Sequence, residues 1–162
     1  MTSGRWRLDP RRSRVEFRVA MLNGLTSATG HFESYEGRLD MSATPAIELA
    51  VDAESVSTGN RRRDRHLRSA TFFDAENHPQ VRFVSDSVEL QGDTLNVRGH
   101  LSAREHSIAL ELNVQVRELD GELEVAAATT APHRELGMTW SPLGTISPVS
   151  ELAVRGYLVP ES

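Results

Sequence analysis

The side chains able to do chemistry are unevenly spread along this 162-residue sequence. The densest group runs from Arg61 to Arg68, where five of eight residues are Arg and Asp64 alone opposes them. Arg63, Arg65 and Arg68 carry planar guanidinium forks suited to a phosphate, another oxygen-bearing head group, or an anionic membrane surface. The same run also reads as a solvated face with an internal pair, Asp64 with Arg68 at i,i+4, that holds a lid segment down. In that reading Asp64, flanked by guanidinium groups, is the buried anchor. The six histidines (His31, His66, His78, His100, His106 and His133) are scattered. Asp74, Glu76 and His78 make a short D-x-E-x-H run, but there is no H-E-x-x-H, and a metal needs ligands that converge in space. No metal site and no cofactor is expected. Without a G-x-S-x-G motif, Asp64, His66 and His133 are acid–base candidates that only geometry can promote. The chain is therefore expected not to be an enzyme.

Two absences exclude more. There is no Cys, hence no disulfide, thiol nucleophile, Cys-ligated zinc or iron–sulfur cluster. There is no Lys, because all 18 basic residues are Arg. Schiff-base chemistry and a G-x-x-x-x-G-K phosphate loop are thereby excluded. Net charge is −5, and the acids outnumber Arg mainly in the second half. That balance argues against a general polyanion binder, so no nucleic-acid partner is expected. No stretch approaches the roughly 18 apolar residues of a membrane helix, and the start, Met1 to Arg5, has no apolar signal region. A cytoplasmic protein without an integral membrane segment is the expectation.

The elements that must position these groups are strands. Ile108, Leu110, Leu112, Val114 and Val116 alternate with polar or small residues, as expected for a strand with one wet face. The pattern repeats at Val15–Val19, Ile47–Val51, Leu95–Leu101, Leu123–Ala127 and Leu152–Leu158, with a hint at Leu39 and Met41. Between Val81/Phe83 and Val88/Leu90 the alternation slips by one, which predicts a bulge. Asp120-Gly121, Gln91-Gly92-Asp93 and Asn23-Gly24 mark turns. About eight strands result, within one domain spanning 1–162. Their common apolar face must be buried by closing as a barrel or pairing as a sandwich.

Two connections are long. The first, 53–80, holds the best helix candidate, Arg61 to Ser69 with Asn60 as cap and Leu67 as its only large apolar residue. Phe72 and Phe73 follow; in a tight helical turn both can cover a barrel end. The second, 131–149, contains Pro132, Pro142, Pro148, Gly137, Gly144 and Trp140. Trp140, with Leu143 and Ile146, is placed either at the other mouth or at a partner contact.

The run Ser55-Val56-Ser57-Thr58-Gly59-Asn60, Arg63-Asp64-Arg65-His66-Leu67-Arg68-Ser69, Phe72-Phe73-Asp74, Pro79, Phe83 and Ser85 closely resembles the signature of the YceI-like family of polyisoprenoid-binding, lipocalin-like barrels. Trp6 to Pro10 resembles the family's first strand, Gly30-His31-Phe32 its "G-x-F" turn, Gly99 to Ser102 its "G-x-L-T" segment, and Arg134 to Gly137 its late "R-x-x-F-G" motif. The resemblance implies an all-β fold, an eight-stranded antiparallel barrel with a short helix in the 53–80 connection. It also implies an apolar tunnel holding a long isoprenoid lipid of the quinone or polyprenyl type, a homodimer as a possible assembly, and no catalytic residues. The sequence departs from the family at Ala103-Arg104-Glu105, where "I-R-G" is common. Glu105 takes a left-handed turn less cheaply than Gly, so a different hairpin or bulge is expected there. Leu136 stands where an aromatic is common, and Trp140 to Gly144 makes an unusual closing loop.

On the carrier reading, alternation assigns Phe17, Val19, Phe83, Leu110, Leu112, Val114 and Val154 to the tunnel wall. Leu67, Phe72, Phe73 and Trp140 are assigned to its ends, and Arg63, Arg65 and Arg68 to head-group contact. Two other readings stay open: an enzyme acting on an apolar substrate at the barrel mouth, and a filled barrel whose loops bind a protein.

Overall fold

A computed structural model describes residues 3–141 and 144–161. Among these, alternation builds eleven strands: β1 (Arg5–Leu8), β2 (Arg14–Met21), β3 (Thr26–Phe32), β4 (Tyr35–Asp40), β5 (Ala46–Asp52), β6 (Val56–Ser57), β7 (Gln80–Gln91), β8 (Thr94–Ala103), β9 (His106–Leu119), β10 (Glu122–Ala131) and β11 (Ser150–Pro160). The one α-helix of the described residues is α1 (Arg61–Arg68). No helix among them is long and apolar enough to cross a membrane.

Eleven segments make an eight-stranded ring because three barrel strands are interrupted, the third being β5 and β6, which pair with β4 and β3 respectively. β11 pairs with β1 through Leu158↔Leu8 and with β2 through Val154↔Val15. β1 and β2 are thus two halves of one strand, separated by the corner at 9–13. On their other side β1 pairs with β4 and β2 with β3, so β3 and β4 are halves of the next strand. The order β1-β4-β5-β7-β8-β9-β10-β11 returns to β1, and every pairing is antiparallel. A barrel is selected over a sandwich, and closure removes the exposed edges that a sandwich keeps.

The expected bulge is present. Ser85 pairs with Gly99 and Ser87 with Arg98, so Asp86 is the extra residue and the inward face passes from Phe83 to Val88. Asp120 and Gly121 both take positive φ between Leu119 and Glu122, a tight two-residue hairpin. The strand β3 carries little apolar pattern, because its inward positions are Ala28, Gly30 and Phe32. A Cβ on Gly30 would lie 2.7 Å from Cζ of Phe17, so the ring of Phe17 fills the space a side chain would take.

At the 104–105 hairpin both Arg104 and Glu105 adopt left-handed φ, at 54° and 65°, which Gly would take more cheaply. The reason lies in what Arg104 holds. Its Nη1 donates to the carbonyl oxygen of Phe72 at 2.9 Å and to that of Gly137 at 2.7 Å. One guanidinium therefore ties both long connections to the β8–β9 hairpin, and the backbone strain sits beside that tie.

The two ends of the barrel differ. At one, the hairpins at 41–45, 92–93 and 120–121 close over Trp6, Leu39, Leu95, Leu123 and Leu158; Leu95 and Leu123 are 0% exposed. The other, the lid end, is covered by the two long connections.

Glu105 is exposed, and a left-handed non-glycine residue costs about 1–2 kcal/mol, against the roughly 0.5–1 kcal/mol of extra chain entropy that Gly brings. Glu105→Gly should therefore raise stability by about 0.5–1 kcal/mol, read as a higher urea midpoint. A lower midpoint would mean that the Glu105 side chain stabilises the turn.

Candidate functional site

The inward face of the barrel does not fill its interior. Ile47, Leu49, Val81, Leu112, Val114, Leu152 and Val154 point inward yet are only partly buried. They surround a cavity of ≈ 220 Å³ that runs between the two ends. Its wall includes Phe17, Phe83, Leu110, Leu112, Val114 and Val154, with Phe72 and Phe73 at the lid end. Val19 and Leu67 are buried in the packed layer behind that wall. Alternation also pointed to Ile47, Leu49, Val97 and Val125, which join the wall without having been singled out. Leu136, Met138 and Ser150 come from the 131–150 region, where no periodic signal exists.

The lid is built from local hydrogen bonds. Asn60 caps α1, its Oδ1 accepting from the Arg63 amide at 3.0 Å. Asp64 and Leu67, three apart, are the buried face of the helix. Asp64 Oδ1 accepts from the Thr58 amide at 2.9 Å and from the Thr58 hydroxyl at 2.5 Å. Arg63 Nε donates to the same hydroxyl oxygen and its Nη2 to the Thr58 carbonyl. Arg68 donates to the carbonyls of Glu54 and Val56, each at 2.9 Å. Asp64 is thus the buried anchor, but its partner is Thr58, while Arg68 braces the 54–58 backbone. Arg63 and Arg68 are committed to the chain's own carbonyls; Arg65 is exposed on the outer side.

After α1 the chain turns tightly, with Phe73 N bonded to Leu67 O and Ala75 N to Arg68 O. This turn buries both phenylalanines. Phe73 packs edge-on against Phe32 (5.7 Å) and Phe17 (6.4 Å), and Phe72 against His133 (5.3 Å). Trp140 lies at this same end and not at the other mouth. It stacks on His66 at 5.2 Å, and its amide donates to the Thr71 carbonyl. Ile146 is buried nearby in sequence; Leu143, its expected companion, lies outside the described residues.

Polarity enters the cavity wall at the lid end. The side chain of His133 is 4% exposed and that of Ser150 5%, with 2.7 Å between His133 Nδ1 and Ser150 Oγ. Burial, aided by the Arg134 charge, pushes the His133 pKa down to about 4. The imidazole is neutral at pH 7 and a weak base, and among the described residues it is Ser150, not a carboxylate, that it contacts. The three acid–base candidates do not meet: Asp64 binds Thr58, His66 stacks on Trp140, and His133 contacts Ser150. Among the described residues no three His, Asp or Glu side chains are grouped to hold a metal.

The sequence pattern of the YceI-like domain matches residues 6–156. Protein YceI of Escherichia coli O157:H7 is 34% identical over 92 residues, which cover 54% of this chain and 48% of that protein. The chain spans about half the length of the curated relatives it matches. Among solved structures, BcnA of Burkholderia cenocepacia superposes with a TM-score of 0.84 at 15% identity, over 93% of this chain and 98% of that one. A polyisoprenoid binding domain from Saccharophagus degradans, implicated in plant cell wall breakdown, does so with a TM-score of 0.80 at 14% identity, over 99% and 100%. At these identities the likeness is one of fold.

Two outcomes follow from the lid and from His133. Asp64→Ala leaves the Thr58 amide and hydroxyl without their acceptor and should cost about 2–3 kcal/mol, whereas the exposed Arg65→Ala should stay within about 0.5 kcal/mol. Urea unfolding with amide exchange at Thr58 separates the two. For His133 the folded pKa lies below the ordinary 6.5, so the unfolded chain takes up the proton first. Its contribution is fully present above about pH 6.5 and is lost as pH falls towards 4. His133→Gln should flatten the stability-versus-pH curve between pH 6.5 and 5; an unchanged slope in urea titrations at those pH values would refute the assignment.

Proposed function

This chain belongs to the family of YceI-like domains, and we propose on that premise that it carries a long apolar isoprenoid lipid, of the quinone or polyprenyl type, inside the barrel. The observation that carries this reading is the set of inward apolar side chains left partly uncovered around one continuous cavity. A filled barrel would bury them completely. The polyisoprenoid binding domain of Saccharophagus degradans, alike in fold, supports the same ligand class.

The driving force is exclusion of water. Each CH₂ moved from water to the apolar wall is worth about 0.8 kcal/mol, so ten buried carbons give roughly 8 kcal/mol, near micromolar affinity before ordering costs. The cavity of ≈ 220 Å³ is only somewhat larger than the roughly 150 Å³ that accepts a benzene ring. A long tail therefore enters by displacing the Phe72–Phe73 turn, which belongs to a connection and not to a strand. The Arg-rich face of α1 is outside the wall, where Arg65 is free to meet an anionic donor surface.

Mass spectrometry of an organic extract from the purified protein, with an unrelated barrel as control, tests the reading directly. A stoichiometric isoprenoid is expected. An empty extract, followed by no uptake of quinones or polyprenols, would favour a filled barrel that binds a protein partner. Leu112→Trp projects an indole into the middle of the cavity. With the fold verified by circular dichroism, it should weaken uptake at least about tenfold, equal to about 1.4 kcal/mol; unchanged uptake would remove Leu112 from the binding wall.

A further inference from the structure

The cavity wall is apolar along most of its length. Three charged residues of the wall strands, Glu16, Arg38 and Glu48, are ion-paired with Arg14, Glu161 and Arg82, and the hydroxyl and imidazole groups of the wall lie at the lid end. Three hydroxyl or imidazole groups stand there: Thr129, His133 and Ser150. Thr129 Oγ1 is already bonded to the Glu111 carbonyl at 3.3 Å. His133 and Ser150 bond to each other through Nδ1 and Oγ, and His133 Nε2 has no partner among the described residues. Whichever way the shared proton lies, the pair keeps one donor in reserve. If the Ser150 hydroxyl donates to Nδ1, the imidazole proton is on Nε2; if Nδ1–H donates to Oγ, the Ser150 hydroxyl proton is left.

We propose that His133 and Ser150 form a head-group site at the lid end of the cavity, and that this site selects a chain ending in an uncharged oxygen, a carbonyl or a hydroxyl, over one ending in phosphate. The proposal rests on the carrier reading and deepens it. A neutral donor matches a neutral acceptor oxygen without transferring charge into an apolar enclosure. A phosphate would need a cation facing it. Of the guanidiniums near this end, Arg63 and Arg68 hold backbone carbonyls, and Arg104 holds Phe72 O and Gly137 O. Arg134 is exposed on the solvent side. None of the four is on the cavity wall. The imidazole supplies no charge at neutral pH, for the reasons given above. The ring of Phe72 packs against that of His133 at 5.3 Å, and His133 is buried.

The test uses the full chain and three ligands with one C20 isoprenoid tail: geranylgeraniol, geranylgeranyl phosphate and the corresponding hydrocarbon. Binding is read by fluorescence displacement at pH 7, and the His133 ring nitrogens by ¹⁵N NMR. In the parent protein the alcohol should bind about five- to tenfold more tightly than the hydrocarbon, the scale of one neutral hydrogen bond, and at least tenfold more tightly than the phosphate. The Nε2 resonance should shift with the alcohol and stay in place with the hydrocarbon. His133→Phe and the milder Ser150→Ala should reduce the alcohol's advantage over the hydrocarbon to within about twofold, with hydrocarbon binding retained. If His133→Phe does not fold, Ser150→Ala and the NMR signal still decide. Tighter binding of the phosphate, or an alcohol preference that survives Ser150→Ala together with a silent Nε2 signal, overturns the head-group site and leaves the carrier reading standing. Failure of all three tails to bind overturns both.

Discussion

Closure of the sheet is the constraint on which everything else depends. β11 closes it by pairing with two separate segments, β1 near Leu158 and β2 near Val154. Once the ring is shut, strand count and tilt set its width, and the wall can vary only in the sizes of its inward side chains. Specificity then moves to the ends. One end is packed solid around Leu95 and Leu123. The other is left to two connections, which meet through the Thr139 and Trp140 amides on the Thr71 carbonyl. Side-chain bonds to backbone groups brace them further: Asp64 on Thr58, Arg68 on Glu54 and Val56, Arg104 on Phe72 and Gly137.

This division explains the use made of arginine. A cluster of five in eight residues suggests an anion site by composition alone. In the folded chain, two of the cluster's members satisfy carbonyls that the interrupted strand at 53–58 leaves unpaired. Arg suits this work because one planar fork reaches two acceptors, as Arg68 does. Among the described residues the buried titratable side chains are Asp64, in the lid, and His133, at the cavity wall, where burial holds it neutral.

What the sequence disclosed follows the same line. Strands with large inward residues, such as Ile108 to Val116, were plain from alternation, and so were the slip at 85–87 and the Asp120-Gly121 hairpin, because period and turn chemistry are local. β3 was hidden because its inward position 30 holds no side chain and borrows the ring of Phe17 from the neighbouring strand. The lid's order, Asn60 cap, buried Asp64 and Leu67, then the Phe72–Phe73 turn, was readable from propensity together with the family signature. The Asp64–Thr58 bond was not, since the charges nearest Asp64 in sequence are not its nearest neighbours in space. Ser150 and His133 were the least legible. Their contact depends on Ala131 lying opposite Ser150 across the far ends of a long connection, a fact of register that no short window contains.

The double grip of Arg104 has a consequence for how this mouth can change. Because one guanidinium holds the carbonyls of Phe72 and Gly137 together, the two covering segments are thermodynamically linked: displacing either strips half the acceptors from the same donor and leaves the other less firmly held. The mouth therefore opens as one cooperative unit. A lineage or an engineer exchanging the 53–80 segment for another must keep a carbonyl at the position of Phe72, or replace the 131–149 segment with it. The two loops form one element of the mouth although most of the barrel's sequence lies between or around them.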